Sequence, residues 1–157
     1  MHLSFFGPER SKTAWIAAAV TLALAGIVAA WHAGAFAMSA GMLARSDKPE
    51  DRQAAIAALA TSGSAAASET LAALAADKDP STATLAVRAL GERQTDLNHD
   101  TLKRIIADKS LRPAVRSEAA YTLGSFTKAD PAVLTNALAA EEDPEVRAGA
   151  AKGLAKL

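Results

Sequence analysis

The chain has 157 residues, with 17 Lys and Arg against 17 Asp and Glu, so no net field draws it to nucleic acid or to anionic lipid. Half of it is hydrophobic but only 4% is aromatic; much of the remainder is alanine, which favours helix over sheet. There is no cysteine, which excludes disulfides and thiolate metal sites.

Residues 1–12 read as an N-terminal tail and residues 13–37 as a transmembrane helix. No Asp, Glu, Lys or Arg lies between Lys12 and Arg45, and a helix needs about 20 apolar residues to cross a bilayer. Trp15 and Trp31 are sixteen residues apart. At about 1.5 Å rise per residue that is roughly 24 Å, which sets the two rings near the edges of the hydrocarbon layer. A cleaved signal peptide is the rival, with Ala35-Phe36-Ala37 as its small-residue site. The apolar core of a signal peptide runs about 7–15 residues, however, and this run is longer, so an uncleaved anchor is expected.

Gly26, Ala30 and Gly34 recur every four residues on this helix. Small residues at that spacing let another helix approach closely in lipid, so the three are candidate partner-binding positions. His32, beside Trp31, is a conceivable pigment or haem ligand, but a polar interfacial role is ordinary at a membrane edge. Arg10 and Lys12 precede the span and Arg45, Lys48 and Arg52 follow it, which is nearly a tie. The short basic start tips the orientation toward a cytoplasmic N-terminus and a periplasmic C-terminal domain.

Residues 38–157 read as a helical repeat domain. Pro49, Pro80, Pro113 and Pro144 are spaced by 31, 33 and 31 residues. Each opens a helix, since its missing N–H is not needed in the first turn. Asp79 and Asp143 stand where they can cap two of these helices. Six residues after each proline comes alanine: Ala55, Ala86, Ala119 and Ala150. The adjacent column is Ile56, Val87, Ala120 and Ala151, and ten residues on comes leucine: Leu59, Leu90, Leu123 and Leu154. These offsets fall on one helical stripe. Ala60, Gly91, Gly124 and Ala155 follow, small residues expected to end each helix. A leading helix precedes each proline, its buried stripe marked by Leu71 and Leu74, by Leu102, Ile105 and Ile106, and by Leu134 and Leu138. In the first copy the matching residue is Leu43, so the leading helix there would be the tail of the membrane segment, about 38–44.

The proline-led segments DPEVRAGAAKGLA (143–155) and RPAVRSEAAYTLG (112–124) resemble HEAT repeats. The closest likeness is to the short bacterial type first associated with phycobilisome lyases, whose second helix opens Asp-Pro-x-Val-Arg and continues with paired alanines and Leu-Gly. Arg112 stands where the family has an acid, Ala83 where it has arginine, and Asp51 where it has valine. The resemblance covers about 45–157. It implies a short α-solenoid of about four helical hairpins, which with the span at 13–37 makes the chain all-α, a single transmembrane helix followed by the solenoid. It also implies a binding scaffold without a cofactor.

Arg52, Arg116 and Arg147 share one repeat column and are candidate partner-binding residues, although pairing with acids of neighbouring repeats explains such arginines more often. Asp96, His99 and Asp100 are better explained by helix capping than by metal ligation. No catalytic set, phosphate loop or metal-ligand pair is found. The number of layers is near the minimum for a stable stack, and no polar cap follows Leu154, so a covering partner is expected. The functional expectation is a non-enzymatic accessory subunit of a bacterial inner-membrane complex, respiratory or photosynthetic, bound to membrane protein subunits and the lipid bilayer and not to nucleic acid. A chromophore-attachment chaperone or lyase-like factor and a secreted binding module are the alternatives.

Overall fold

The computed structural model describes residues 40–157. The expected membrane span at 13–37, with Gly26, Ala30, His32 and Gly34, lies outside the described residues. Among those described, no helix is long and apolar enough to cross a membrane.

A helical run at 40–43 leads into seven helices. These are α1 (Pro49–Ala60), α2 (Ala65–Leu74), α3 (Pro80–Glu92), α4 (Asp96–Ala107), α5 (Pro113–Leu123), α6 (Pro131–Ala140) and α7 (Pro144–Leu154). Local chemistry sets their starts. Proline opens α1, α3, α5, α6 and α7, and its ring fixes the backbone for the first turn. The carboxylates of Asp79, Asp130 and Asp143 accept from backbone N–H groups of the first turn, as the hydroxyls of Ser64 and Thr95 do. Asp79 and Asp143 thus cap as their positions predict. At α4 the cap is Thr95, one residue ahead of the acid to which the sequence pointed.

The helices form two layers. The proline-led helices α1, α3, α5 and α7 pack each on the next, and α2, α4 and α6 each back onto the proline-led helix that follows. This is the neighbour-only packing of a solenoid, with three full hairpins and one partial one. Ala40 and Ala44 complete the first layer by burying themselves in the core. The constant columns are that core: all four alanines at the sixth position are inaccessible, and Leu59, Leu90 and Leu123 are buried with them. Leu154 is half-buried and Ala151 exposed, since α7 packs chiefly on α5 and α6.

Three sequence expectations need correction. Leu43 is 39% exposed, because the short run turns Ala40 and Ala44 inward instead. Leu138 is 38% exposed, because α6 packs chiefly on α7 and buries only Leu134. Gly124 ends α5 as expected, in right-handed conformation, but Gly91 does not end α3. Gly91 lies inside α3, where a Cβ would come 2.5 Å from Thr122 Cγ2 of α5. A Cβ on Gly124 would strike the backbone of Gly153, one on Gly149 the backbone of Ser117, and one on Gly153 the carbonyl of Ala120. The glycines therefore bring proline-led helices together, most closely α5 and α7.

Candidate functional site

The arginine column is spent inside the fold. Arg52 and Arg116 are each only 4% exposed. Arg52 donates through Nη2 to Asp77 Oδ1 at 2.9 Å and through Nη1 to the Ser46 carbonyl at 2.8 Å. Its Nε lies 2.6 Å from Asp77 Oδ2 but too bent for a hydrogen bond, so the attraction there is Coulombic. Arg116 donates to the Ile106 carbonyl at 2.9 Å and pairs through both Nη atoms with Glu141, whose carboxyl this donation holds below its usual range. Each arginine thus reaches an acid twenty-five residues on, in the loop before a later proline. Arg147 is half-buried and donates to the carbonyls of Glu141 and Glu142. A partner-facing ladder needs exposed guanidinium groups. The structure instead uses Arg52 and Arg116 to join successive repeats, and Arg147 to hold the loop ahead of its own helix.

Ala83 leaves a gap in this column, and Arg112 fills it from the next repeat. Arg52 and Arg147 bind carbonyls five or six residues before themselves. The equivalent carbonyls for position 83 are those of Asp77 and Lys78, and Arg112 donates to both. The arginine that replaces an acid before Pro113 is thus the substitute for the arginine missing after Pro80.

His99 Nδ1 lies 3.7 Å from Asp100 Oδ1, but Asp96, His99 and Asp100 form no group that could hold a metal ion. The His99 ring tilts against Phe126, with centroids 5.8 Å apart, and Asp100 pairs with Lys103 at 2.9 Å. Beside them Asn98 is buried and joins α4 to its neighbours, accepting from Ser68 at 2.5 Å and donating to the carbonyls of Leu90 and Arg93.

A surface of a different kind runs along the outward side of the proline-led helices. The positions five, eight and twelve after each proline lie on one helical face. They read Ala54, Ala57 and Thr61; Leu85, Arg88 and Glu92; Glu118, Tyr121 and Ser125; and, on α7, Lys152 and Lys156, the remaining position being Gly149, which is buried against α5. Buried columns repeat one residue type, whereas these rows change at every layer. Side chains lock along them. Arg88 Nε donates to Glu118 Oε1 at 2.7 Å, which raises the arginine's pKa. Lys156 Nζ sits 3.2 Å over the Tyr121 ring and donates to Ser125. Gln94 bridges to Ser125 and Thr127.

Between α1 and α3 this face opens into a groove of about 960 Å³. Ile56, Ala57, Ala60, Leu85 and Ala89 give it an apolar floor, with Gln53, Arg88, Glu92, Arg93 and Gln94 around them. Arg93 closes one end by donating to the Thr61 carbonyl at 2.5 Å. Arg88, Arg93 and Gln94 are each bonded within the fold, to Glu118, to the Thr61 carbonyl and to the Ser125 carbonyl, so what the groove offers is its apolar floor. The sequence reading missed this site because it followed the columns that repeat. The signal lay in the adjacent rows, where Leu85 and Tyr121 stay exposed although both are large and apolar.

A family model described as HEAT repeats matches residues 40–124 and 86–155. No curated protein matches the chain.

Proposed function

Since the chain belongs to the HEAT-repeat family, we propose that it is a membrane-held binding scaffold, a non-catalytic accessory subunit of a larger membrane complex. One observation carries this reading. A constant core of alanine and leucine supports an outward face that differs in every layer and opens into a groove over α1 and α3. HEAT arrays are helical scaffolds whose extended faces take up other proteins, and this face has the form such a role needs.

The anchor is the run at 13–37, read as a single transmembrane helix whose Gly26, Ala30 and Gly34 face a helix of the partner. The C-terminal repeats would then lie on the periplasmic side of a bacterial inner membrane, against the extramembrane part of a respiratory or photosynthetic assembly. Extraction in mild detergent tests the proposal. The protein should fractionate with membranes at its full-length mass and co-purify with a partner in constant ratio, and Leu85→Glu should lose that partner without leaving the membrane. A full-length protein that always chromatographs alone would refute the subunit role. A mature mass lacking the first three dozen residues would refute the anchor.

A further inference from the structure

We propose that the short helical run at 40–43 is a peg seated in the bilayer surface, with Met42 and Leu43 entering the boundary between lipid headgroups and acyl chains, an inference that rests on the reading of 13–37 as a transmembrane helix. Met42 is 77% exposed, more than any other large hydrophobic residue described, and Leu43 beside it is 39% exposed. The run that carries them is pinned from behind. Ala40 and Ala44 are buried in the core, and Arg52 donates to the Ser46 carbonyl at 2.8 Å. One side of the run is thus fixed to the first layer, and the other holds Met42 outward. The backbone also suits lipid, where carbonyls must find donors within the protein. The N–H of Ala44 donates to the Ala40 carbonyl at 2.9 Å, and those of Arg45 and Ser46 to the Met42 and Leu43 carbonyls at 3.1 Å.

Chain continuity names the bilayer as the occupant. Residue 37 ends the expected span, and the five residues from there to Met42 reach at most about 17 Å, so Met42 stays close to the headgroups. Met42 and Leu43 are also the last large apolar residues of the uncharged stretch that closes at Arg45. Arg45 is exposed and lies one turn past Met42, where its long stem lets the charge remain among the phosphates. The neighbouring charges set the kind of contact. Arg45 and Lys48 stand against Asp47, Glu50 and Asp51, so anionic headgroups gain no net attraction here. Seating therefore comes from burial of apolar side chains, as in helices that lie in the membrane surface, and does not depend on lipid charge.

The chain has no cysteine, so single labelling sites can be introduced one at a time. The test uses the full-length chain in phosphatidylcholine liposomes, with an environment-sensitive fluorophore on Met42→Cys, on Lys152→Cys of α7 or on Ala25→Cys at the middle of the expected span. Lipids carrying a nitroxide near the headgroup or near the chain end quench the label by depth. Met42 and Lys152 are both exposed, and a far-UV spectrum reports whether each variant keeps its helices. The Met42 label should emit at shorter wavelength than the Lys152 label and be quenched several-fold, more by the shallow nitroxide than by the deep one. The Ala25 label should show the reverse order, and the Lys152 label should stay unquenched. An unquenched Met42 label beside a quenched Ala25 label would overturn the peg and leave the anchor standing. If the Met42 emission were nonetheless shifted, protein and not lipid would cover it. Quenching of Met42 only when anionic lipid is added would overturn the apolar seating. Equal quenching at Lys152 would mean that the fluorophore itself seeks lipid, and would overturn the assignment to Met42. An unquenched Ala25 label would overturn the anchor and the peg together.

Discussion

At the scale of single residues, the arginines decide how repeats are joined. A buried guanidinium that loses its partner leaves an uncompensated charge, which costs about 3–5 kcal/mol, whereas replacing both partners by apolar groups of similar size is often close to neutral. Glu141→Ala should therefore destabilise clearly, since Arg116 is buried and Glu141 is the carboxylate it bonds directly, while Arg116→Met with Glu141→Leu should cost far less. Urea unfolding of the full chain followed by far-UV circular dichroism measures both, and equal losses would show that the pair carries no special cost. The gap at Ala83 gives a second prediction. Arg112 makes two charge-assisted bonds to loop carbonyls, so Arg112→Ala should cost about 1.5–3 kcal/mol. Adding Ala83→Arg restores the column's own arginine to those carbonyls and should recover at least half of the loss. If Ala83→Arg gives no recovery in that background, Arg112 is not the substitute. The sequence exposes the column and its gap, but not the partners. Asp77 and Glu141 lie twenty-five residues on in loops of unrelated composition, and only the stacking of repeats brings them near.

Among the elements, the proline-led helices were the most legible. Proline with an acidic cap is a local signal, and the alanine and leucine columns repeat often enough to reveal their face. Of the two glycines expected to end helices, Gly124 does cap α5, in right-handed conformation, whereas Gly91 lies inside α3. Glycine at a helix end suits a left-handed turn, but it equally suits a close crossing, and sequence spacing alone does not separate the two. Leu138 was misread because α6 buries a single residue and its apolar pattern exceeds the contacts it makes. The groove left no periodic mark at all, since it arises from small residues on one helix beside large ones on the next. Two glycine variants distinguish crossing from termination. Gly153→Ala places a methyl 2.5 Å from the Ala120 carbonyl, so it should destabilise by about 1–3 kcal/mol, the usual cost of overpacking. Gly41→Ala meets nothing within 4 Å in the short helical run and should stabilise by about 0.5–1 kcal/mol. Both are read from denaturation midpoints, and a neutral Gly153→Ala would mean that α5 and α7 can separate freely.

For the molecule as a whole, each layer depends on its neighbours, so whatever loosens the loops between layers loosens the stack. Those loops are held by carboxylates. Asp79 is held below its usual range by the Thr82 hydroxyl, Asp108 by the Ser110 hydroxyl and Glu141 by Arg116. Asp79 caps α3, and Asp108 and Glu141 stand in the loops before α5 and α7. A carboxyl with a lowered pKa in the folded state binds its proton later than in the unfolded chain. Its contribution is therefore complete above the ordinary carboxylate range, near pH 4, and is lost as pH falls through the lowered values. With three such groups at successive joints, stability should be flat from neutral pH to about pH 5 and then decline steeply, as the unfolded chain takes up protons that the folded one refuses. Glu141→Gln should be less stable at neutral pH but decline less on acidification, because one linked proton has been removed. Thermal melts of the full chain at pH 7, 5, 4 and 3 give both slopes. Parallel slopes for the variant and the wild type would mean that the Arg116 joint does not report the acid response. Protonation of these carboxyls removes the bonds that hold the joints between layers, so hydrogen exchange at low pH should rise in the loops before α3, α5 and α7 while the alanine–leucine core stays protected.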